Sequence, residues 1–244
     1  MSRLLFTIKY DGGNYHGWQV QNNGVTVQQT VQDALEAVLG RRVNVTGCSR
    51  TDSGVHANMF CFHSDIDCNI PIDRFPAALN AHLPDDIAVI ACQRVTDDFH
   101  ARYSCKGKNY IYKIYDSEVR DPFKKGYAFY YKSKLNVDLM NLAAKCFIGK
   151  HDFSGFCSTG SSVTDTVRTI TECEVIRDGD IVTVSVSADG FLYNMVRIIV
   201  GTLIEVSEGK IKTDDVDGII ASCNRNKAGR TAPACGLYLN KVYY

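Results

Sequence analysis

The chain has 244 residues, is 45% hydrophobic and 22% charged, and carries 27 basic and 27 acidic side chains. These proportions are ordinary for a globular protein, and the length allows one large domain or two small ones. The apolar runs near the N-terminus are too short for a signal peptide or a membrane span, so we expect a cytoplasmic protein without membrane association. The ten cysteines include no C-x-x-C pair, which argues against a zinc knuckle and favours a reducing compartment.

The zero net charge hides a segregation of charge along the chain. Residues 65–98 are mainly acidic, whereas residues 99–134, called the basic stretch below, hold nine bases against three acids. A stretch of this kind that also carries tyrosines could contact phosphates and stack nucleobases. A solvated strand face with aromatic core residues gives the same pattern, and charge alone favours that interpretation. The tyrosines concerned are Tyr103, Tyr110, Tyr112 and Tyr115.

The first half alternates strand and helix patterns. Thr26 and Gln29 form a capping box in front of an apolar-periodic helix, which ends at Gly40. A helix is also predicted over residues 72–83 despite Pro76. The predicted strands cover residues 4–10, 43–48, 59–63 and 87–95, and a glycine-rich turn covers residues 11–19.

The second half repeats these element types. Asn136 caps a helix that is predicted to end at Gly149, and Asp178-Gly179 predicts the turn of a hairpin. The whole pattern predicts an α+β fold of two pseudo-symmetric subdomains, residues 1–104 and 105–244, whose mainly antiparallel, ferredoxin- or RRM-like sheets form a central cleft. The other elements are strands over 110–115, 169–176, 181–188 and 237–242, a strongly apolar helix over 191–206 and a short helix over 213–222.

Two charged residues are the leading candidates for function. Asp52 lies in the octapeptide RTDSGVHA (residues 50–57), where Gly54 allows a sharp bend that presents a carboxylate; an ordinary Asx-turn is the alternative. Arg197 lies in the apolar helix and therefore needs a carboxylate partner, for which we predict Asp52. The alternatives are an arginine at the helix edge that reaches water, or a pair with Asp189. Pairing would hold the pKa of Asp52 below about 3.9, which suits a nucleophile better than a general acid.

Tyr110 begins a tyrosine-rich strand, where its ring could stack on a base and its hydroxyl could relay a proton. A half-buried strand residue is the ordinary alternative. His56 and His63, together with Asp52, could suggest a metal site, but their spacing matches no common ligand pattern, and histidines of the core or of a turn are the favoured interpretation, without a metal.

Seven segments in a fixed order resemble the TruA family of bacterial tRNA pseudouridine synthases, and the resemblance covers nearly the whole chain. In two places the chain departs from the family's usual GRTDAG: Ser49 stands where glycine precedes the arginine, and Ser53 where alanine follows the aspartate. The segments are YDG with GWQ (10–12 and 17–19), RTDSGVHA (50–57), FHAR (99–102), KNYIY (108–112), HDF (151–153), residues 191–201 and APACGLYL (232–239).

The resemblance implies an enzyme that isomerises uridine to pseudouridine at positions 38, 39 and 40 of the tRNA anticodon arm. It also implies a homodimer and no cofactor. By position, Asp52 matches the family's catalytic aspartate and Tyr110 its active-site tyrosine. Arg197 matches the arginine that pairs with the aspartate, and Arg50 the arginine associated with displacing the target base.

Lys106 and Lys108, which precede Tyr110, are further candidates for binding the RNA substrate. Two other functions remain open from the residues alone. One is a non-catalytic RNA-binding module of paired α+β sheets. The other is a metal-dependent hydrolase that uses His56, His63 and Asp52.

Overall fold

The computed structural model describes residues 2–160 and 163–244. It combines α-helices with β-strands that pair mostly antiparallel, which confirms the predicted mixture. None of the helices in these residues has both the length and the apolar character needed to cross a membrane. The strands are β1 (Ser2–Tyr10), β2 (Thr46–Gly47), β3 (His56–Ile66), β4 (Ile87–Arg94), β5 (Gly107–Asp116), β6 (Phe129–Tyr131), β7 (Gly149–Asp152), β8 (Val167–Asp178), β9 (Ile181–Ala188) and β10 (Leu237–Tyr243). The α-helices are α1 (Val27–Leu39), α2 (Phe75–Asn80), α3 (Val137–Ala144), α4 (Met195–Ser207) and α5 (Val216–Ala221).

The chain forms two compact units. The first comprises Met1–Lys106 together with Tyr238–Tyr244, and the second comprises Gly107–Leu237. Strand β10 therefore lies in the first unit except for its first residue. There it pairs in parallel with the start of β3.

In the first unit, β1 pairs antiparallel with both β3 and β4. Its inner face carries Phe6, whose ring stacks on Phe62 at 4.8 Å and meets the edge of Phe75 at 5.6 Å. All three rings are fully buried. The core of this unit is therefore an aromatic cluster between the sheet and α2.

The two helices of the first unit follow their sequence signals. The Thr26 hydroxyl accepts the Gln29 N–H at 3.4 Å, and Gly40 ends α1 in the left-handed conformation with φ +70°. Helix α2 follows a 3₁₀ turn and has Pro76 in its first turn, where no intrahelical N–H bond is lost. The cap and the stop of α1 are confirmed, and the second helix is confirmed over residues 72–80 but ends before the predicted residue 83.

The strand predicted over residues 43–48 is wrong in length, because only Thr46–Gly47 pairs with β3. Gln32 Nε2 donates to the Val43 carbonyl at 3.2 Å, and Gln28 Nε2 donates to the Val45 carbonyl at 2.9 Å. Side chains of α1 thus take hydrogen bonds that a neighbouring strand would otherwise make. A local sequence pattern contains no sign of this competition.

In the second unit, β5, β9, β8 and β7 form an antiparallel sheet in that order, and β6 pairs in parallel with β5. The predicted hairpin is confirmed: Gly179, with φ +57°, lies in the turn between β8 and β9. Strands β6 and β7 were not predicted. Helix α3 begins after Asn136 as predicted but ends at Ala144 rather than at Gly149, because the chain tightens there into a 3₁₀ turn.

Helix α4 begins at Met195, four residues later than the predicted start at residue 191. Asn194 precedes it with φ +61°, a left-handed conformation that a right-handed helix cannot contain. The Asn194 side chain donates to Ser158 Oγ at 2.9 Å and accepts a bond from Arg197 Nη1 at 2.6 Å, which holds this conformation. The helix is buried on most of its surface, as its composition predicted.

The second unit also contains a buried ion pair. Asp116 is 0% exposed and accepts two hydrogen bonds of 2.7 Å from Arg177 and one of 2.9 Å from the Leu135 N–H. Burial raises the pKa of Asp116, but the bonds from Arg177 and Leu135 lower it further than burial raises it, so that its pKa lies below the usual value. This carboxylate is therefore ionised and fully used by the fold.

Candidate active site

The octapeptide of residues 50–57, called the Asp52 loop below, connects β2 to β3. Asp52 is half-buried, and its main-chain carbonyl accepts the Val55 N–H at 3.2 Å, which closes a turn. Gly54 has φ +76°, a value that side-chain-bearing residues rarely adopt. The sharp bend predicted from Gly54 is confirmed.

The glycine-rich turn of residues 11–19, called the glycine loop below, lies directly against the Asp52 loop. Trp18 N–H donates to the Thr51 carbonyl at 3.1 Å, and Gly54 N–H donates to the Tyr15 carbonyl at 3.3 Å. The Ser53 hydroxyl donates to the same Tyr15 carbonyl at 3.2 Å. These bonds hold the main chain on both sides of Asp52. The serine at position 53 adds an anchor that an alanine could not provide.

Two glycines allow this close approach. A Cβ atom at Gly12 would lie 1.9 Å from the Val55 carbonyl oxygen, and one at Gly17 would lie 2.4 Å from the Thr51 carbonyl oxygen. Both distances are far inside van der Waals contact, and the neighbouring atoms are main chain, which cannot move aside as a flexible side chain can. The sequence showed these glycines, but not what they approach.

Two tyrosine hydroxyls brace the same arrangement. The Tyr10 hydroxyl lies 2.8 Å from Thr51 Oγ1, and both residues are buried. The Tyr15 hydroxyl donates to Asp86 Oδ1 at 2.5 Å. Burial and then the Asp86 carboxylate raise the pKa of Tyr15, so that this hydroxyl stays protonated and remains a donor. Tyr15 thus links the loop before β4 to the Asp52 loop.

His56 anchors the glycine loop at its other end. Its Nδ1 lies 3.1 Å from the Gly12 N and 2.9 Å from Asp11 Oδ1, and its ring stacks on Tyr238 at 4.7 Å. A neutral ring accepts the Gly12 N–H, and a ring protonated at Nδ1 donates to Asp11. In either state the buried ring fixes the loop.

His63 makes its hydrogen bond to a different segment of the chain. Its Nδ1 accepts the Ala101 N–H at 3.1 Å, and burial, followed by the charge of Arg3, lowers its pKa to about 4. His56 and His63 are seven residues apart on β3, which corresponds to about 20 Å along a strand. One metal ion cannot contact both rings, so His56 and His63 do not share a metal site, and each ring serves as a buried, hydrogen-bonded part of the fold.

Tyr110 and its neighbours lie on β5 in the second unit. Tyr110 is 6% exposed and meets the Phe191 ring edge to face at 4.9 Å. Tyr112 is fully buried and donates to the Pro233 carbonyl at 2.7 Å, and Tyr115 is buried as well. For Tyr112 and Tyr115 the ordinary interpretation holds, since both are core residues. Tyr103 differs, because it is 78% exposed.

Arg197 is half-buried on α4, and its guanidinium is held in place. Its Nε donates to the Ala232 carbonyl at 2.7 Å and its Nη1 to Asn194 Oδ1 at 2.6 Å. Burial raises the pKa of Tyr112, and the positive charge of Arg197 opposes that rise. Tyr110 projects from the same side of β5 as Tyr112 because the two are two residues apart. Asp189, the alternative partner considered for Arg197, accepts the Thr169 N–H at 3.0 Å.

The segment that holds Arg197 depends on a glycine that motif analysis missed. A Cβ atom at Gly201 would lie 1.6 Å from the Arg230 carbonyl oxygen, so α4 can approach this segment only at a glycine. Ala232 N–H donates to the Arg197 carbonyl at 3.0 Å in return. The available signal was a glycine inside an otherwise apolar helix, which often marks a close contact.

The basic candidates differ in exposure. Arg50 is exposed and makes no hydrogen bond or ion pair with the residues described. Lys106 is exposed at the end of the first unit, and Lys108 is half-buried on β5. The site residues predicted from the sequence are thus divided: Arg50, Asp52 and Lys106 belong to the first unit, and Lys108, Tyr110 and Arg197 to the second.

Comparison with known proteins identifies the family. The family model described as tRNA pseudouridine synthase matches residues 7–104 and 143–244. The chain is 49% identical to the tRNA pseudouridine synthase A of Ruminiclostridium cellulolyticum and 50% identical to that of Acetivibrio thermocellus, in each case over 100% of both chains. It is 46% identical to the protein of that name from Staphylococcus aureus, over 99% of this chain and 91% of the other. The chain therefore belongs to the tRNA pseudouridine synthase family, whose members are isomerases.

Proposed function

We propose that this enzyme isomerises uridine to pseudouridine at positions 38, 39 and 40 in the anticodon arm of tRNA, with Asp52 as the nucleophile. The observation that carries the proposal is the rigid presentation of Asp52. Main-chain hydrogen bonds, two closely approached glycines and two tyrosine hydroxyls fix the loop around this half-buried carboxylate. A nucleophile held in one geometry lowers the entropic part of the barrier.

The reaction rearranges one nucleotide without a net change in its atoms. The bond between ribose C1′ and uracil N1 breaks, and a bond between C1′ and C5 forms. The proton on C5 is lost and N1 gains one. Asp52 would form a transient covalent bond either to the ribose or to the uracil ring, and either route releases the base for rotation within the site.

The other candidate residues have distinct proposed roles. Arg197 would pair with Asp52 and keep it ionised, as predicted from the sequence. Tyr110 would contact the uracil and relay the C5 proton, and the Phe191 ring against it supports a preset orientation.

Arg50, Lys106 and Lys108 would bind the RNA. A base inside the anticodon stem must leave its stack before it can react, which costs on the order of a few kcal/mol. The exposed Arg50, one residue before Thr51 in the Asp52 loop, is suited to fill that gap or to hold a phosphate. The homodimer, the absence of a cofactor and the cytoplasmic location remain predictions from the sequence.

The direct test is Asp52→Asn, assayed on tRNA and on an anticodon stem-loop. Because the amide keeps the shape of the carboxylate but is not a nucleophile, we expect pseudouridine formation to fall by at least about 10³-fold while RNA binding is retained. Chemical tagging of pseudouridine detects the product, which has the same mass as uridine.

Asp33→Asn is the matched control, since Asp33 is an exposed aspartate that pairs with Arg42 on the surface. It should leave activity unchanged. Wild-type activity in Asp52→Asn would remove Asp52 as the nucleophile. Wild-type protein that binds tRNA and leaves every uridine unmodified would favour the non-catalytic RNA-binding alternative.

A further inference from the structure

One aromatic ring of the second unit is almost fully exposed. Phe123 is 92% exposed and lies in residues 117–127, called the Phe123 loop below, between β5 and β6. Val119 and Tyr127 on the same loop are also exposed. Isolated exposed apolar residues are common, but three on one loop are a concentration of the kind that marks an interaction site.

The main chain around Phe123 is held by bonds within its own loop. Asp121 accepts the Phe123 N–H at 2.9 Å and pairs with Lys124 at 2.6 Å. The Lys124 ammonium in turn lies 4.4 Å from the centre of the Tyr115 ring, and that ring belongs to the core. The residues on either side of Phe123 are therefore tied to β5.

Two tyrosine hydroxyls, one of them from Tyr115 itself, hold the start of the loop. The Tyr115 hydroxyl donates to the Val119 carbonyl at 3.2 Å, and the Tyr130 hydroxyl donates to the Glu118 carbonyl at 3.1 Å. The loop thus presents Phe123 from a braced base. A group that is already ordered loses less entropy when it binds.

The charges around the ring indicate what would bind there. The basic stretch contains three acids; Asp116 is buried against Arg177, and Asp121 is paired within the loop. The remaining acid, Glu118, is exposed on the same loop as two exposed bases, Arg120 and Lys125. Neither base makes an ion pair with the residues described. An exposed ring flanked by uncompensated bases suits a polyanion that carries flat apolar groups.

We propose that Phe123 stacks on an unpaired nucleobase of the tRNA while Arg120 and Lys125 hold the adjoining phosphates. The inference rests on the proposed function insofar as that function supplies an RNA substrate. It adds a contact outside the candidate active site. RNA is favoured over a protein partner because the flanking charge is positive. Of the four tyrosines that the sequence offered for stacking, Tyr110, Tyr112 and Tyr115 are buried and Tyr103 is exposed, so Phe123 adds a second exposed ring to the basic stretch.

The test compares Phe123→Ala, Phe123→Leu and Phe123→Trp in the full-length protein, with a tRNA transcript as the probe. Stacking on a base requires an aromatic face, so alanine and leucine should each raise the Kd about fivefold or more, and tryptophan should keep it near the wild-type value. Leu142→Ala, at another exposed apolar residue that lies on α3 outside the basic stretch, should leave the Kd unchanged.

The phosphate contacts have a separate signature. Arg120→Ala and Lys125→Ala should each make the slope of log K against log salt concentration shallower by about 0.7 to 0.9, the expectation for one phosphate contact. Phe123→Ala should leave that slope unchanged, because stacking releases no counterions.

A Phe123→Ala protein with wild-type tRNA affinity would overturn the inference. A second pattern would also overturn the inference: Phe123→Leu binds RNA normally, and Phe123→Ala loses self-association in sedimentation. That pattern identifies an apolar contact between two protein molecules. Failure of the proposed function looks different, because it appears in the wild-type protein as absence of pseudouridine. An inactive wild-type protein that binds tRNA through Phe123 would still support the inference, and a wild-type protein that binds no tRNA would overturn it.

Discussion

Asp52 and Asp116 show two ways in which this fold positions an aspartate. Asp116, in the second unit, is held through its side chain: Arg177 and the Leu135 N–H occupy its oxygens, and the carboxylate is wholly buried. The Asp52 loop, in the first unit, is positioned through its main chain, by bonds from Trp18 and to Tyr15. Asp52 itself remains half-buried.

This difference separates structural from chemical use of the same side chain. A carboxylate whose oxygens are taken up by an arginine and a main-chain N–H stabilises the fold but cannot easily approach a substrate. A carboxylate on a loop that main-chain hydrogen bonds hold is positioned without relying on bonds to its own oxygens. Substitutions at the two places should therefore affect different measurements, stability in one case and turnover in the other.

The largest effect is expected from Asp116→Asn. The amide leaves the Arg177 guanidinium without its counter-charge in a mostly buried site, so the free energy of unfolding should fall by about 3 to 5 kcal/mol. Turnover per folded molecule should be unchanged at temperatures below the transition. Urea denaturation and single-turnover assays on the same preparation measure the two quantities.

The control for this substitution is Asp33→Asn, which breaks an ion pair between exposed side chains. Its cost should be at most about 1 kcal/mol. Equal destabilisation by the two substitutions would mean that burial of Asp116 does not strengthen its interaction.

The second-largest effect is expected on turnover, and a comparison of alanine substitutions at Gly17 and Gly40 tests it. Gly17 and Gly40 both have positive φ, so alanine at either position incurs about 1 to 2 kcal/mol of backbone strain. Only Gly17 touches the Asp52 loop, because a Cβ at Gly40 would meet no atom within 4 Å. Displacement of the loop by Gly17→Ala should lower turnover by about 10²-fold, whereas Gly40→Ala should affect stability alone. Equal turnover in the two variants would show that the close approach is not needed for catalysis.

A smaller effect is expected from Tyr10→Phe. The substitution keeps the ring and removes the bond to Thr51 Oγ1, at a cost of about 1 to 2 kcal/mol in stability and a several-fold loss of turnover. Tyr244→Phe removes a comparable hydroxyl bond, to the Ala101 carbonyl, and should leave turnover unchanged.

A double-mutant cycle separates the bond from the packing. Thr51→Val removes the hydroxyl left without its Tyr10 partner, so the double variant should recover part of the stability lost in Tyr10→Phe, with a coupling energy of about 1 kcal/mol. Strictly additive losses would mean that the two hydroxyls do not interact in solution.

The sequence predicted elements whose determinants are local. The Thr26 cap, the Gly40 stop and the turn at Gly179 each depend on the preference of a residue for one conformation, and each is confirmed. The predictions failed where a distant group decides the outcome. Glutamines of α1 donate to the carbonyls of Val43 and Val45, and the side-chain bonds of Asn194 delay the start of α4.

The candidate site also has features that depend on local sequence and features that depend on distant residues. The sequence singled out Asp52 and Gly54, because a carboxylate next to a glycine can be recognised locally. It could not reveal that Gly17 lies against Thr51 or that Gly201 lies against Arg230, since those contacts join residues tens of positions apart. The sequence also could not predict which aromatic residues of the basic stretch are exposed. Composition does not distinguish the buried Tyr112 from the exposed Phe123.

The contribution of the Asp116 ion pair to stability should depend on pH. The pKa of folded Asp116 lies below its unfolded value, so its ion pair stabilises the protein fully above the unfolded pKa of about 3.9. As the pH falls further, the unfolded chain takes up a proton that the folded chain does not, and the stabilisation is lost as the pH passes through the folded pKa. The difference in unfolding free energy between wild type and Asp116→Asn should thus be constant near neutral pH and shrink below about pH 4. Other carboxylates titrate in both proteins and cancel in this difference. A difference that stays constant into acid would mean that the lost stability reflects packing around residue 116, and Asp116 would then no longer represent a carboxylate that the fold holds by its charge.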